Sequence, residues 1–113
     1  MLLRHSKISI QKETAWALSN ILAGTQGQIQ SVISSDLVLL LVHTLETGEF
    51  RVQKEVLFAI ANYISGSNTD QIWYLVKCQV IKPMCDLLVV KDQQLLKIIL
   101  DGLCIILSVN LIN

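Results

Sequence analysis

The chain has 113 residues, 52% of them hydrophobic, with five glycines and one proline. That apolar content excludes a disordered chain and suffices for one small domain with a real core. Nine basic residues balance nine acidic ones, so the charge points neither to nucleic acid nor to an anionic membrane as a partner.

The first residues, Met1-Leu2-Leu3-Arg4-His5, lack a long apolar core followed by a small-residue cleavage site, which argues against a secretory signal. Ser9–Ala23 reads as an amphipathic helix stopped by Gly24, and Gln26–Ser34 as a short helix. Leu37–Glu46 is a strongly apolar helix, with Asp36 expected as its N-cap and Gly48 as its stop. Phe50–Ser65 is amphipathic again and ends at Gly66; Thr69–Lys77 is short, with Asp70 expected as an N-cap. Val80–Val89 is apolar and carries Pro83 near its start, where a missing N–H costs least. Gln94–Val109 is the last amphipathic segment, and β-branched residues nowhere alternate with polar ones as a strand requires. Mean hydropathy is +0.54, yet the apolar runs Leu37–Val42, Ile98–Leu100 and Leu103–Leu107 fall far short of the roughly 20 residues a bilayer span needs. The apolar residues are therefore expected between packed helices.

An internal repeat organises these segments. Residues 11–24 read QKETAWALSNILAG and residues 53–66 read QKEVLFAIANYISG, an offset of 42. Ala17, Asn20 and Gly24 are matched by Ala59, Asn62 and Gly66, and Trp16 is answered by Phe58. The register then slips by one, so that Gln28-Ile29 recurs as Gln71-Ile72 and Leu45 as Leu88, and a third, weaker copy begins near Gln94. A period of 42–43 residues with two or three helices per unit is the signature of armadillo and HEAT arrays. Such units bury their apolar faces only against neighbours. The expected division is a partial unit over about 1–24, then units over 25–66 and 67–109, all in one array.

On the first amphipathic helix Glu13, Trp16 and Asn20 are spaced i, i+3 and i+7 and fall in one narrow arc. Ile10, Ala15, Ala17, Leu18, Ile21 and Leu22 spread over a broader sector, expected to be the core stripe. The second copy repeats the arc as Glu55, Phe58 and Asn62. Stacked side by side, these arcs suit an extended basic peptide. Asn amides pair with its backbone, aromatic faces form slots for Lys or Arg stems, and carboxylates meet the cationic heads.

Cys78, Cys85 and Cys104 form an odd set without a Cys-x-x-Cys pair, and reduced buried thiols are expected. His5 and His43 stand in no ligand spacing, so neither a metal nor a cofactor is implied. No Gly-rich phosphate loop and no supported nucleophile–base pairing is present, so an enzyme is not expected.

The residues Ile10-Gln11-Lys12-Glu13-Thr14-Ala15-Trp16-Ala17-Leu18-Ser19-Asn20, Gly48-Glu49-Phe50, Asp70-Gln71-Ile72-Trp73-Tyr74-Leu75-Val76 and Ile81-Lys82-Pro83-Met84-Cys85-Asp86-Leu87-Leu88 together resemble the later armadillo repeats of the importin-alpha (karyopherin-alpha) family. The resemblance covers nearly the whole chain. It implies an all-α, right-handed superhelical solenoid of about two full armadillo repeats plus a leading helix. It implies a role in nuclear import, binding Lys/Arg-rich nuclear localisation signals of cargo proteins, and residence in cytoplasm and nucleus. By the same resemblance the repeats match those of the family's minor cargo groove. Trp16 and Asn20 are then an aromatic–amide pair, Glu13 contacts cationic side chains, and Glu55 and Asn62 are the next repeat's equivalents. Phe58 departs from the family's Trp, which weakens that slot. Asp101 and Ile105 replace the aromatic and amide of the third copy, so no slot is expected there. The family's basic importin-beta-binding segment and its early repeats are not found in this chain. The competing expectation is a truncated armadillo scaffold that associates with another protein without transport activity.

Overall fold

A computed structural model describes Leu3 and residues 7–112, with side chains up to Val109. Seven α-helices follow one another among the described residues: α1 (Ile8–Leu22), α2 (Gln26–Ser34), α3 (Leu37–Thr47), α4 (Phe50–Gly66), α5 (Thr69–Lys77), α6 (Ile81–Asp86) and α7 (Gln93–Ile112). A 3₁₀ turn over Leu87–Val89 continues α6. The order short, apolar, amphipathic thus runs twice, over α2–α3–α4 and α5–α6–α7, behind the leading α1. The long helices stack in sequence, α1 on α4 and α4 on α7. This is the all-helical armadillo architecture expected from the period. His5, and all but Leu3 of the segment weighed as a signal, lie outside the described residues.

The short helices start in a way the sequence reading missed. Thr25 and Asn68, not an aspartate, are the caps. Thr25 Oγ1 accepts from Gln28 N at 3.2 Å while Gln28 Oε1 accepts from Thr25 N at 2.8 Å. Asn68 and Gln71 form the same reciprocal pair at 2.9 and 3.1 Å. Each box satisfies two backbone donors that would otherwise be orphaned at the helix start. Asp70 sits inside the first turn of α5, where its charge complements the helix dipole without capping.

Asp36 is not an N-cap either. It takes a left-handed conformation (φ 60°) and its side chain makes no capping bond to α3. Gln79, 43 residues on, has φ 66° at the equivalent bend before α6. Both bends turn the chain from the first to the second helix of a unit, and Asp is one of the few non-glycine residues that enters this region readily. The glycines expected to stop helices do so without left-handed backbone. Gly24 and Gly48 lie just past helix ends, whereas Gly66 is the last residue of α4 itself. The helix expected over Val80–Val89 tightens after Asp86 and ends at an extended Val90, where stiff β-branched residues disfavour a further turn.

The core runs continuously between the layers. Leu22, Ile29, Leu41, Leu45, Leu57, Ile60, Tyr63, Ile72, Leu75, Met84 and Ile99 are fully buried. Gly102 on α7 is buried too, and a Cβ there would meet Met84 Cε at 3.1 Å and Ile64 Cδ1 at 3.3 Å. A glycine at this point lets α7 approach α4 and α6 closely. Polar ties fix the layers in register. Gln71 donates through Nε2 to the Gln26 carbonyl at 3.1 Å and to Gln30 Oε1 at 3.3 Å, tying α5 to α2. Gln53 Nε2 donates to the Leu45 carbonyl at 2.7 Å, and the Tyr63 hydroxyl to the Gln71 carbonyl at 2.6 Å. Burial pushes the Tyr63 phenol far above its ordinary range, so it acts as a neutral donor.

Two expectations about burial need correcting. Ala17 and Ile21, assigned to the core stripe of α1, are exposed. A helix face is buried only where another element covers it, and α1 packs on α4 and α2 with its opposite side. The thiols expected to be buried are not: Cys85 and Cys104 are exposed and Cys78 is half-buried, the last held above its ordinary pKa by that burial. Among the described residues no single helix is long and apolar enough to cross a membrane.

Candidate functional site

The arc expected on α1 is exposed. Trp16 is 61% accessible, and Glu13 and Asn20 stand in solvent beside it. Helical spacing holds them together, and the helix beneath them is braced by buried Ala15, Leu18, Ser19 and Leu22. Ser19 Oγ also donates to the Trp16 carbonyl at 2.6 Å.

The counterpart on α4 is placed differently. Glu55, Phe58 and Asn62 are all half-buried, and Phe58 packs against the core. Asn62 Nδ2 donates to the Ser19 carbonyl of α1 at 3.0 Å. One of its donors is therefore engaged between repeats, a bond the helical-wheel argument does not reveal because it depends on how close α1 lies.

Stacking α4 on α1 brings part of the two arcs together. Glu13 and Trp16 from α1 share a shallow depression of about 190 Å³ with Glu55 from α4. Lys12 lines the same depression and was not singled out from sequence. Asn20, Phe58 and Asn62 do not line it. Two carboxylates against one ammonium leave an excess of negative charge beside an open indole face.

Further along the same side, a groove of about 160 Å³ lies between α4 and α7, lined by Ala61, Ile64, Ser65, Ile98, Asp101, Gly102 and Ile105. Neither an aromatic ring nor a side-chain amide borders it. Lys54 of α4 reaches Asp92, just ahead of α7, at 3.7 Å. No group of three His, Cys, Asp or Glu side chains able to hold a metal ion is found among the described residues.

The Armadillo/beta-catenin-like repeat family model matches residues 1–23. Importin subunit alpha-4 of Arabidopsis thaliana is 44% identical over 110 residues, covering 97% of this chain and 20% of its own length. Importin subunit alpha-1b of Oryza sativa subsp. japonica is 48% identical over 110 residues, with 97% and 21% covered. The chain is an armadillo-repeat array related to the importin-alpha subunits. It spans about a fifth of the length of these relatives. Among solved structures, a designed armadillo repeat protein superposes with a TM-score of 0.85 at 25% identity, over 92% of this chain and 43% of that one. Another designed armadillo repeat protein, in complex with the peptide (KR)4, superposes with a TM-score of 0.81 at 27% identity, over 96% of this chain and 49% of that one.

Proposed function

We propose that this array binds an extended Lys/Arg-rich peptide, of the kind that serves as a nuclear localisation signal, as a nuclear-import-adaptor-like module. The observation that carries the reading is the meeting of Glu13 and Glu55, from helices 42 residues apart, beside the exposed Trp16. One cationic side chain lies with its stem on the indole and its head at the two carboxylates. Asn20 pairs with the peptide backbone next to it. Phe58 offers a smaller and partly covered ring, and Asn62 keeps one donor on Ser19, so the second slot contributes less. In support, the designed armadillo protein with (KR)4 shares the fold at 27% identity, and the relatives at 44% and 48% identity are importin-alpha subunits. In this reading the chain is one array of units over about 1–24, 25–66 and 67–109. Its partners are signal-bearing cargo proteins met in cytoplasm and nucleus, and it performs no covalent chemistry.

Titration with a Lys/Arg-rich peptide, followed by tryptophan fluorescence, tests the proposal. The expected result is saturable binding of micromolar or weaker affinity, since few slots are present. An equal response to a peptide with every Lys and Arg replaced by Ala would overturn it, as would unchanged affinity for Trp16→Ala measured by calorimetry.

A further inference from the structure

The offset of 43 that carries α4 onto α7 places Ile98, Asp101 and Ile105 where α4 has Glu55, Phe58 and Asn62. Acid, ring and amide are thus all replaced on α7, and two of the three substitutes are branched apolar side chains. The replacement does not close the surface. Ile98, Asp101 and Ile105 line the groove of about 160 Å³ between α7 and α4, whose other wall includes Ala61 and the buried Ile64. Both walls are helices of this chain stacked on each other. The groove is close in size to the depression of about 190 Å³ beside Trp16.

The chemistry of the two hollows is opposite. The depression between α1 and α4 sets Glu13 and Glu55 beside an open indole. In the α4–α7 groove the one carboxylate, Asp101, already accepts from the Lys97 ammonium at 2.7 Å, one turn away on the same helix. That pair leaves no uncompensated charge to hold a cation, and the isoleucines with Ala61 supply apolar surface, Ile105 being 38% accessible. A Lys or Arg head seated there gives up water without gaining a free carboxylate, whereas an aliphatic side chain gains by leaving water.

The two hollows follow one another along the same side of the array. Packed helices lie roughly 8–10 Å apart and an extended chain advances about 3.3 Å per residue, so about two or three peptide residues span the step. We propose that the α4–α7 groove takes an uncharged aliphatic side chain of the same peptide whose basic residue lies beside Trp16. The chain then reads a mixed sequence, a Lys or Arg with Leu, Ile or Val two or three positions away, in preference to an unbroken basic run. The inference rests on the peptide reading of the Trp16 depression and adds the specificity of the neighbouring position.

Calorimetric titration of the unmodified chain with a set of short peptides tests this. Each peptide carries a central Lys-Arg pair in a Gly/Ser background, with Leu, Ala or Lys placed two or three residues away on one side or the other. One Leu placement is expected to bind about fivefold tighter than its Ala counterpart, and tighter than its Lys counterpart. Ile105→Asn, a change at an exposed position whose helicity circular dichroism checks, should remove the Leu advantage and leave the Ala peptide's affinity unchanged. Trp16→Ala should weaken the Leu and Ala peptides alike and preserve the ratio between them. Equal binding of Leu and Ala peptides at every placement would overturn the proposal while leaving the basic slot standing, as would Lys binding tighter than Leu throughout. A Leu advantage that survives Ile105→Asn unchanged would put the apolar contact elsewhere and overturn it too. Failure of every peptide to bind would overturn both this proposal and the reading it rests on.

Discussion

The same acid–aromatic–amide pattern stands on α1 and on α4, and the two copies are in different physical states. On α1 all three side chains face solvent; on α4 all three are half-buried, with Phe58 on the core and Asn62 bonded to the Ser19 carbonyl. The difference comes from what lies in front of each helix. α4 has α1 within hydrogen-bonding reach, whereas among the described residues no further long helix packs on α1. Equal positions in a repeat thus do not give equal chemistry: the open copy is free to recognise a ligand, and the covered copy partly serves to hold the array together. Variants of the paired residues are the way to break that distinction.

The largest expected effect is on stability. Phe58→Ala removes a half-buried ring from the core edge and should lower unfolding free energy by about 2 kcal/mol, somewhat below the loss for a fully buried Phe. Trp16→Ala, at an exposed position, should change it by less than about 0.5 kcal/mol. Urea denaturation of both variants checks this, and equal losses would dissolve the contrast between the two rings. Binding should reverse the order. Trp16→Ala is expected to weaken a Lys/Arg-rich peptide about tenfold, or ~1.4 kcal/mol, by loss of stem packing and cation–π attraction. Phe58→Ala should weaken it no more than about twofold. Calorimetric titration separates the cases, and a larger binding loss at Phe58 would place the principal slot on the wrong helix.

The amides sharpen the same comparison. Asn62→Ala removes the donor to Ser19 and should destabilise the chain by about 1 kcal/mol, the usual net worth of such a bond. Asn20→Ala should leave stability unchanged and reduce peptide affinity a few-fold. If both variants lose stability alike, Asn20 has a structural partner and the open description of α1 fails.

What could be read in advance divides along the same line. The repeat, the helix order and the exposure of Trp16 followed from periodicity, because an armadillo unit writes its apolar faces into the sequence at fixed spacing. The Thr25–Gln28 and Asn68–Gln71 boxes were legible too, as a cap residue followed three positions later by Gln. The exposure of Ala17 and Ile21 was not legible. Their pattern is that of buried Ala59 and Tyr63, and only the position of α1 in the stack tells them apart. Nor could a wheel foresee that Asn62 reaches the Ser19 carbonyl, or that Lys12 shares the depression with Glu13 and Glu55. These depend on distances between helices far apart in sequence.

The smallest expected effects concern charge in that depression. Glu13→Gln and Glu55→Gln each remove one negative charge facing a cationic head in a solvent-exposed setting, where an ion pair contributes about 0.2–1 kcal/mol. Each should therefore weaken peptide binding by no more than about fivefold. Lys12 places a like charge in the same depression, so Lys12→Ala should strengthen binding by a comparable small factor. Salt provides the sharper readout. Affinity of the unmodified chain should fall as ionic strength rises, because screening weakens exposed charge pairs. The Glu13→Gln/Glu55→Gln double variant should show a clearly shallower dependence. If the slope is unchanged, the charges that attract the peptide lie elsewhere on the array, and the shared depression between α1 and α4 is only a packing gap.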